Sequence, residues 1–276
     1  MVNNKYRMSQ YLFISYVLLF STIANYAQRT QAEKYFAEAE KAYKLRQLSE
    51  SMQLLSQAIQ TDSTFAEAYL QRGLLHYELS AFDKALQDYD KTLQFRPTSP
   101  QAHYYKGVVY SILNQPEKAE KAFLKALTYN PKYVEAYIAL GTTQEALHKR
   151  QEAIKQFDKA IQLNPQAKLA YFNRGIYYFN QKQYFKSLQD FQKVVQIDSN
   201  FVEAYEMQAE IYTEQRKYAQ AIQVLTVYLK HYTLNSQIWL KRGKLYAKLK
   251  DKPRAIADWL KAKELGNEEA EKLLAK

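Results

Sequence analysis

The sequence contains no cysteine, which excludes disulfides, thiolate-bound zinc, iron–sulfur clusters, thiol catalysis and N-terminal cysteine lipidation together. The absence says little about compartment, because a chain without thiols tolerates oxidising and reducing surroundings alike. Glycine and proline are scarce, six of each in 276 residues, so the breakers that punctuate strand-rich and loop-rich chains are mostly missing. Also missing are a Gly-rich phosphate loop, a His-Glu-x-x-His zinc signature, a Gly-x-Ser-x-Gly nucleophile elbow and an Asn-x-Ser/Thr acceptor. No catalytic residue, cofactor or metal is therefore expected, and the chain reads as no enzyme.

What the chain does have is 25 Tyr, 47% apolar residues and 24% charged ones. That composition excludes disorder and, with abundant Ala, Gln, Lys and Leu, points to an all-α protein. Lys and Arg number 39 against 28 Asp and Glu, a net charge of +11. Such an excess raises the question of polyanions or anionic lipid, yet no long basic run occurs and the lysines alternate with acids.

Residues 1–27 read differently from the rest. Lys5 and Arg7 form a short basic start, Tyr11 to Ala24 is a 14-residue apolar stretch, and small residues follow at Ala24 and Ala27. This is the layout of a secretory signal peptide. Cleavage after Ala27 would leave Gln28 as the first mature residue, with cleavage after Ala24 the alternative. An uncleaved anchor over residues 11–27 is the rival reading, against which stands the need for roughly 20 apolar residues to span a bilayer.

A fixed period organises the remainder. Gly73, Gly107, Gly141 and Gly175 are 34 residues apart, and Gly243 lies two periods further on. Pro97, Pro131 and Pro165 keep the same spacing, as do Ala85, Ala119 and Ala153, followed two periods later by Ala221 and then Ala255. Seven units follow: 32–65, 66–99, 100–133, 134–167, 168–201, 202–235 and 236–269. Place four of each is Tyr35, Tyr69, His103, Tyr137, Tyr171, Tyr205 or Trp239, place eight is Gly or Ala, and place eleven is often Tyr. Steps of four and three put these on one face of a first helix. Ala119, Phe123 and Ala126 and their equivalents mark a second helix, so each unit is expected to be an antiparallel helical hairpin. His103 and His76 take places held elsewhere by aromatics and read as packing residues, whereas His148 and His231 fall near helix ends and read as solvated.

These residues, with aromatic side chains at place twenty-four and proline at thirty-two, resemble the tetratricopeptide repeat family. The first unit departs from the pattern at Ala39, Ser51 and Ser63. The sixth departs at Ala209, Leu225, Tyr228 and Thr233, which predicts looser packing there. The resemblance implies a right-handed superhelical solenoid of seven helix-turn-helix repeats, and residues 268–276 read as a C-terminal capping helix.

The resemblance further implies a concave groove lined by places two, five, nine and twelve or thirteen. Those places hold Leu70, Leu74 and Tyr77, then Tyr104, Val108 and Ile112, then Ile138 and Thr142, then Phe172, Ile176, Phe179 and Asn180. An apolar, aromatic lining suits a protein or peptide ligand, unless these side chains only thicken the packing between first helices. The sixth unit carries Glu203, Glu206, Glu210 and Glu214 on one face and the seventh answers with Lys241, Lys244 and Lys248. These rows are either ion pairs that fix the stacking or a charged end of the groove. The Lys clamp with which some family members hold a terminal carboxylate is missing, since place five holds Phe36, Leu70, Tyr104, Ile138, Phe172, Glu206 and Leu240.

The expectation is an exported interaction scaffold or adaptor of the periplasm, cell envelope or extracellular space, binding a partner protein or peptide in its groove. Nucleic acid is not the expected partner, and membrane contact is expected only through an uncleaved N-terminus. The alternative is a charge-driven binder of polyanions or anionic membrane through the basic C-terminal units, and self-association through an exposed repeat end is also open.

Overall fold

The structure is a computed structural model that describes residues 26–275. The expected signal peptide or anchor therefore lies outside the described residues, apart from residues 26 and 27, which sit at the start of the described part of the first helix. Among the described residues there are fifteen helices and no strands. Helix α1 covers 26–44, followed by α2 (Leu48–Thr61), α3 (Ala66–Glu78), α4 (Phe82–Phe95), α5 (Pro100–Ile112), α6 (Pro116–Tyr129) and α7 (Val134–Ala146). Then come α8 (Arg150–Leu163), α9 (Lys168–Asn180), α10 (Tyr184–Ile197), α11 (Val202–Glu214), α12 (Tyr218–Leu229), α13 (Ser236–Lys248), α14 (Lys252–Glu264) and α15 (Glu268–Leu274). The chain divides into two compact units, one through Thr143 and one from Gln144, with the division inside α7.

Each first helix ends in the same way. In the turn after α3, Ser80 N–H donates to the Tyr77 carbonyl at 2.9 Å and Ala81 N–H to the His76 carbonyl at 2.8 Å. These two bonds satisfy carbonyls left open by the last helical turn, and they require a left-handed residue between them. Ser80 accordingly has φ 58°, and Arg46, Asn114, His148, Lys182, Arg216 and Lys250 adopt φ between 54° and 62° at the equivalent place. Four of the connections between hairpins add a side-chain bond to backbone ones such as Phe65 N–H to the Asp62 carbonyl at 3.1 Å. Asp62, Asn130, Asn164 and Asp198 each accept a backbone N–H two residues ahead, the local turn that Asx side chains favour. The residue at place four then reaches back across that connection: His103 Nε2 to the Pro97 carbonyl at 3.1 Å, Tyr137 Oη to Pro131 at 3.3 Å and Trp239 Nε1 to Thr233 at 2.8 Å.

Neighbouring hairpins share their cores. In the first unit, Leu55 and Ala58 of α2 pack with Tyr69 and Leu75 of α3, Tyr89 of α4 with Val109 of α5, and Phe123 of α6 with Leu140 of α7. In the second, Phe191 of α10 packs with Ile211 of α11, and Leu225 of α12 with Ile238 and Leu245 of α13. Stacking is therefore what removes the apolar faces from water. The last face is covered by α15, whose Ala270 and Leu273 lie against Leu240, Ala262, Trp239 and Trp259.

Candidate functional site

The crossing between the two helices of a hairpin is set by one pair of residues. Opposite Gly73, Gly107, Gly175 and Gly243 stand the rings of Tyr89, Phe123, Phe191 and Trp259, and a Cβ added at these glycines would come within 2.6, 2.6, 2.8 and 2.6 Å of ring atoms. Glycine is thus required by a close approach, which outweighs its helical cost of about 1 kcal/mol. The hairpins α1/α2 and α11/α12 are built otherwise, with Ala39 and Ala209 opposite Leu55 and Leu225. Both leave a cavity. One of about 270 Å³ is lined by Ala39, Glu40, Tyr43, Ser51, Leu55 and Leu74 among others. The other, about 210 Å³, has Ala209, Thr213, Leu225 and Leu245 together with Glu206, Glu210, Lys241, Lys244 and Lys248 around it.

The structure brings together most of the charged residues singled out in the sequence. Lys241 pairs with Glu206 across α11 and α13. Lys244 turns away to Glu269, 2.6 Å distant, while Glu214 accepts a hydrogen bond from Tyr184. Glu203 is exposed and does not line the cavity. Glu210 and Lys248 line it without an ion pair among the described residues.

The apolar residues assigned to the groove are mostly half-buried. Leu70, Leu74 and Tyr77 lie against Tyr89 and Val109, and Tyr104 and Val108 against Phe123 and Leu140. Ile138 is half-buried, Thr142 exposed and Ile112 50% exposed. In the second unit, Phe172, Ile176 and Phe179 pack on Phe191, and Asn180 is exposed. Tyr104 and Phe172 also meet Tyr133 and Phe201, with ring centroids 4.9 and 5.0 Å apart, and Phe36 meets Phe65 in the same way at 5.2 Å. Burial among these rings pushes the Tyr104 hydroxyl up to about 12.

One recurring set of residues has no counterpart in the sequence reading. Arg72, Arg174 and Arg242 of the first helices each grip an aspartate of their own second helix with two hydrogen bonds: Asp88 at 2.9 and 2.7 Å, Asp190 at 2.8 and 2.7 Å, and Asp258 at 2.8 and 2.8 Å. Each guanidinium has a third partner on the preceding hairpin: Ser56 at 3.4 Å, Asp158 at 2.6 Å and Thr226 at 3.0 Å. The hydrogen bonds to Asp190 hold Arg174 above the ordinary arginine value. The available signal was an Arg and an Asp sixteen positions apart in the same three repeats. The cavity floor had a signal too, because alanine replaces glycine in the same two repeats in which leucine replaces the ring.

Paired hairpins repeated at a fixed spacing, with cores shared between neighbours, define a helical-repeat protein. Tetratricopeptide repeat profiles match residues 66–99 and 100–133, 134–167 and 169–201, and 206–269. The chain belongs to the tetratricopeptide repeat family. Solved structures with the same fold include a tetratricopeptide repeat protein from Parabacteroides merdae, at 20% identity and TM-score 0.64, covering 89% of this chain and 98% of that one. The pilF protein of Pseudomonas aeruginosa is similar at 22% identity and TM-score 0.62, over 78% and 98% of the two chains. YrrB, described as having an unusual peptide-binding site, is similar at 23% identity and TM-score 0.53, over 62% and 89%. No curated protein matches the chain.

The repeats and these neighbours support a protein-interaction scaffold, and scaffolds of this family are generally non-enzymatic. Among the described residues no group of three His, Asp or Glu is placed to hold a metal, and no helix is long and apolar enough to cross a membrane.

Proposed function

We propose that this scaffold works by binding an extended segment of a partner polypeptide against the first-helix faces of its repeats, and that it does so after export. The observation that carries the binding reading is the row of half-buried apolar side chains on successive first helices, Leu74 and Tyr77 on α3, Val108 on α5 and, at 50% exposure, Ile112. Apolar and aromatic side chains left partly in water on a rigid frame are the usual anchors for a peptide. Export is supported by the basic start and apolar stretch of residues 5–24.

The test is to pan a displayed random-peptide library on the purified protein beside its Tyr77→Asp/Ile112→Asp variant. Peptides enriched on the first and lost on the second support the reading, and equal enrichment on both removes it. The mass of the protein recovered from its native cells reads out export directly, because cleavage would leave Gln28 or Asn25 first.

The charge-driven alternative fits the structure less well. Within the seventh hairpin, Lys241, Arg242, Lys244, Arg254, Lys261 and Lys263 all have acidic partners. Paired cations release few counterions to a polyanion, so the salt-dependent affinity expected of such a binder is small.

A further inference from the structure

Resting on the peptide-binding reading above, we propose that the cavity between α11, α12 and α13 seats one aliphatic side chain of the partner, carried between an acidic and a basic residue. The floor is apolar, formed by Ala209, Leu225 and Leu245. At about 210 Å³ it exceeds the roughly 150 Å³ apolar cavity that takes a benzene-sized molecule, so a leucine or methionine side chain fits.

The rim decides what flanks that side chain. The α11 side is acidic and the α13 side basic, but these charges are not all spent on one another. Glu206 answers Lys241 and Glu269 answers Lys244, which leaves Glu210 on one wall and Lys248 on the other without an ion pair among the described residues. An occupant with its own cation toward α11 and its own anion toward α13 pairs both. A wholly acidic or wholly basic segment pairs one and is repelled by the other.

The cavity also has a structural origin that can be reversed. In the second, third, fifth and seventh hairpins an aromatic ring fills the equivalent space against glycine. Leu225 is too short to do so, and Ala209 carries the Cβ that a ring there would strike.

The experiment uses the full chain and an array of blocked dodecapeptides. Each has a single leucine between glutamate and lysine, in either order, in a Gly/Ser background. Control peptides carry alanine for the leucine, or two like charges. Binding at least tenfold stronger to one order of the dipolar leucine peptides than to the controls is expected. The sealed variant Ala209→Gly/Leu225→Phe should lose it while keeping the wild-type helical content and melting temperature. The reversed variant Glu210→Lys/Lys248→Glu should prefer the opposite order of charges. Equal binding to leucine and alanine peptides, or undiminished binding by a folded sealed variant, overturns the proposal. Peptides selected from the random library separate the two readings. If they still need Tyr77 and Ile112 but ignore the sealed variant, only the cavity proposal falls; if none is selected, both fall.

Discussion

The third and sixth hairpins have first helices of equal length and the same left-handed turn, at Asn114 and Arg216, yet one is closed at its crossing and the other is hollow. In α5/α6, Gly107 and Phe123 are in such close contact that even a methyl group on the glycine has no room. In α11/α12, Ala209 and Leu225 occupy those positions and a cavity of about 210 Å³ remains. The fold tolerates both because neighbouring hairpins share the burial: Leu225 is still 1% exposed through its contacts with α13. The two positions therefore go together: glycine with a ring fills the crossing, and alanine with leucine leaves a recess.

The comparison is broken most severely by Phe123→Ala, which removes a fully buried ring with no side chain positioned to replace it. A loss of about 3–5 kcal/mol is expected in urea unfolding. Gly107→Ala comes next, at roughly 1–3 kcal/mol, from overpacking against the ring. Adding Phe123→Leu to Gly107→Ala should recover much of that loss, because the pair then reproduces α11/α12. A double-mutant cycle showing simple additivity would separate the two positions and end the argument for coupling.

A smaller change sharpens the comparison from the other side. Tyr89 fills the second hairpin as Phe123 fills the third, but its hydroxyl is buried without a hydrogen-bond partner among the described residues. Tyr89→Phe removes that group and should raise stability by about 1 kcal/mol. Smallest of all is a pH effect at His103. Burial, aided by Lys106 and Lys125 and opposed by the hydrogen bond to Pro97, holds its imidazole below the ordinary histidine value. The unfolded chain therefore takes up the proton first as pH falls. Stability from this group is present above about pH 6.5 and declines as pH drops through that value toward the folded pKa. His103→Tyr, the residue at five of the six other equivalent places, should lessen the fall in melting temperature between pH 7.5 and pH 5.5.

The architecture was legible because its signals are local and repeated. Glycines, prolines and alanines at one spacing mark a helical crossing, a helix end and a second close contact, and helices begin at Ala66, Pro100, Val134, Lys168, Val202 and Ser236. The turns were not legible, since Arg46, Ser80 and Lys182 have no local preference for positive φ and are held there by the hydrogen bonds that close the helix. Tyr104 and Phe172 show a related limit. Spacing assigns each a face of its helix but does not reveal that Tyr133 and Phe201, 29 positions later, turn back to meet them. The recess in α11/α12 was half visible. Departures at Ala209, Leu225, Tyr228 and Thr233 suggested looser packing, but spacing does not reveal that the slack opens beside Glu210 and Lys248.

The arginine grips carry one more implication, for how the second unit comes apart. Arg174 fastens α8, α9 and α10 together, and Arg242 does the same for α12, α13 and α14. In α11 the corresponding residue is Gln208, whose side chain bonds, among the described residues, only to the Ala204 carbonyl of its own helix. Under tension or mild heating the weakest seam is therefore expected between α10 and α11, where, among the described residues, no arginine crosses and the exposed Tyr184–Glu214 hydrogen bond is all that is added to the apolar contacts described above, and amide hydrogens lining that seam would be the first of the unit's interior to exchange.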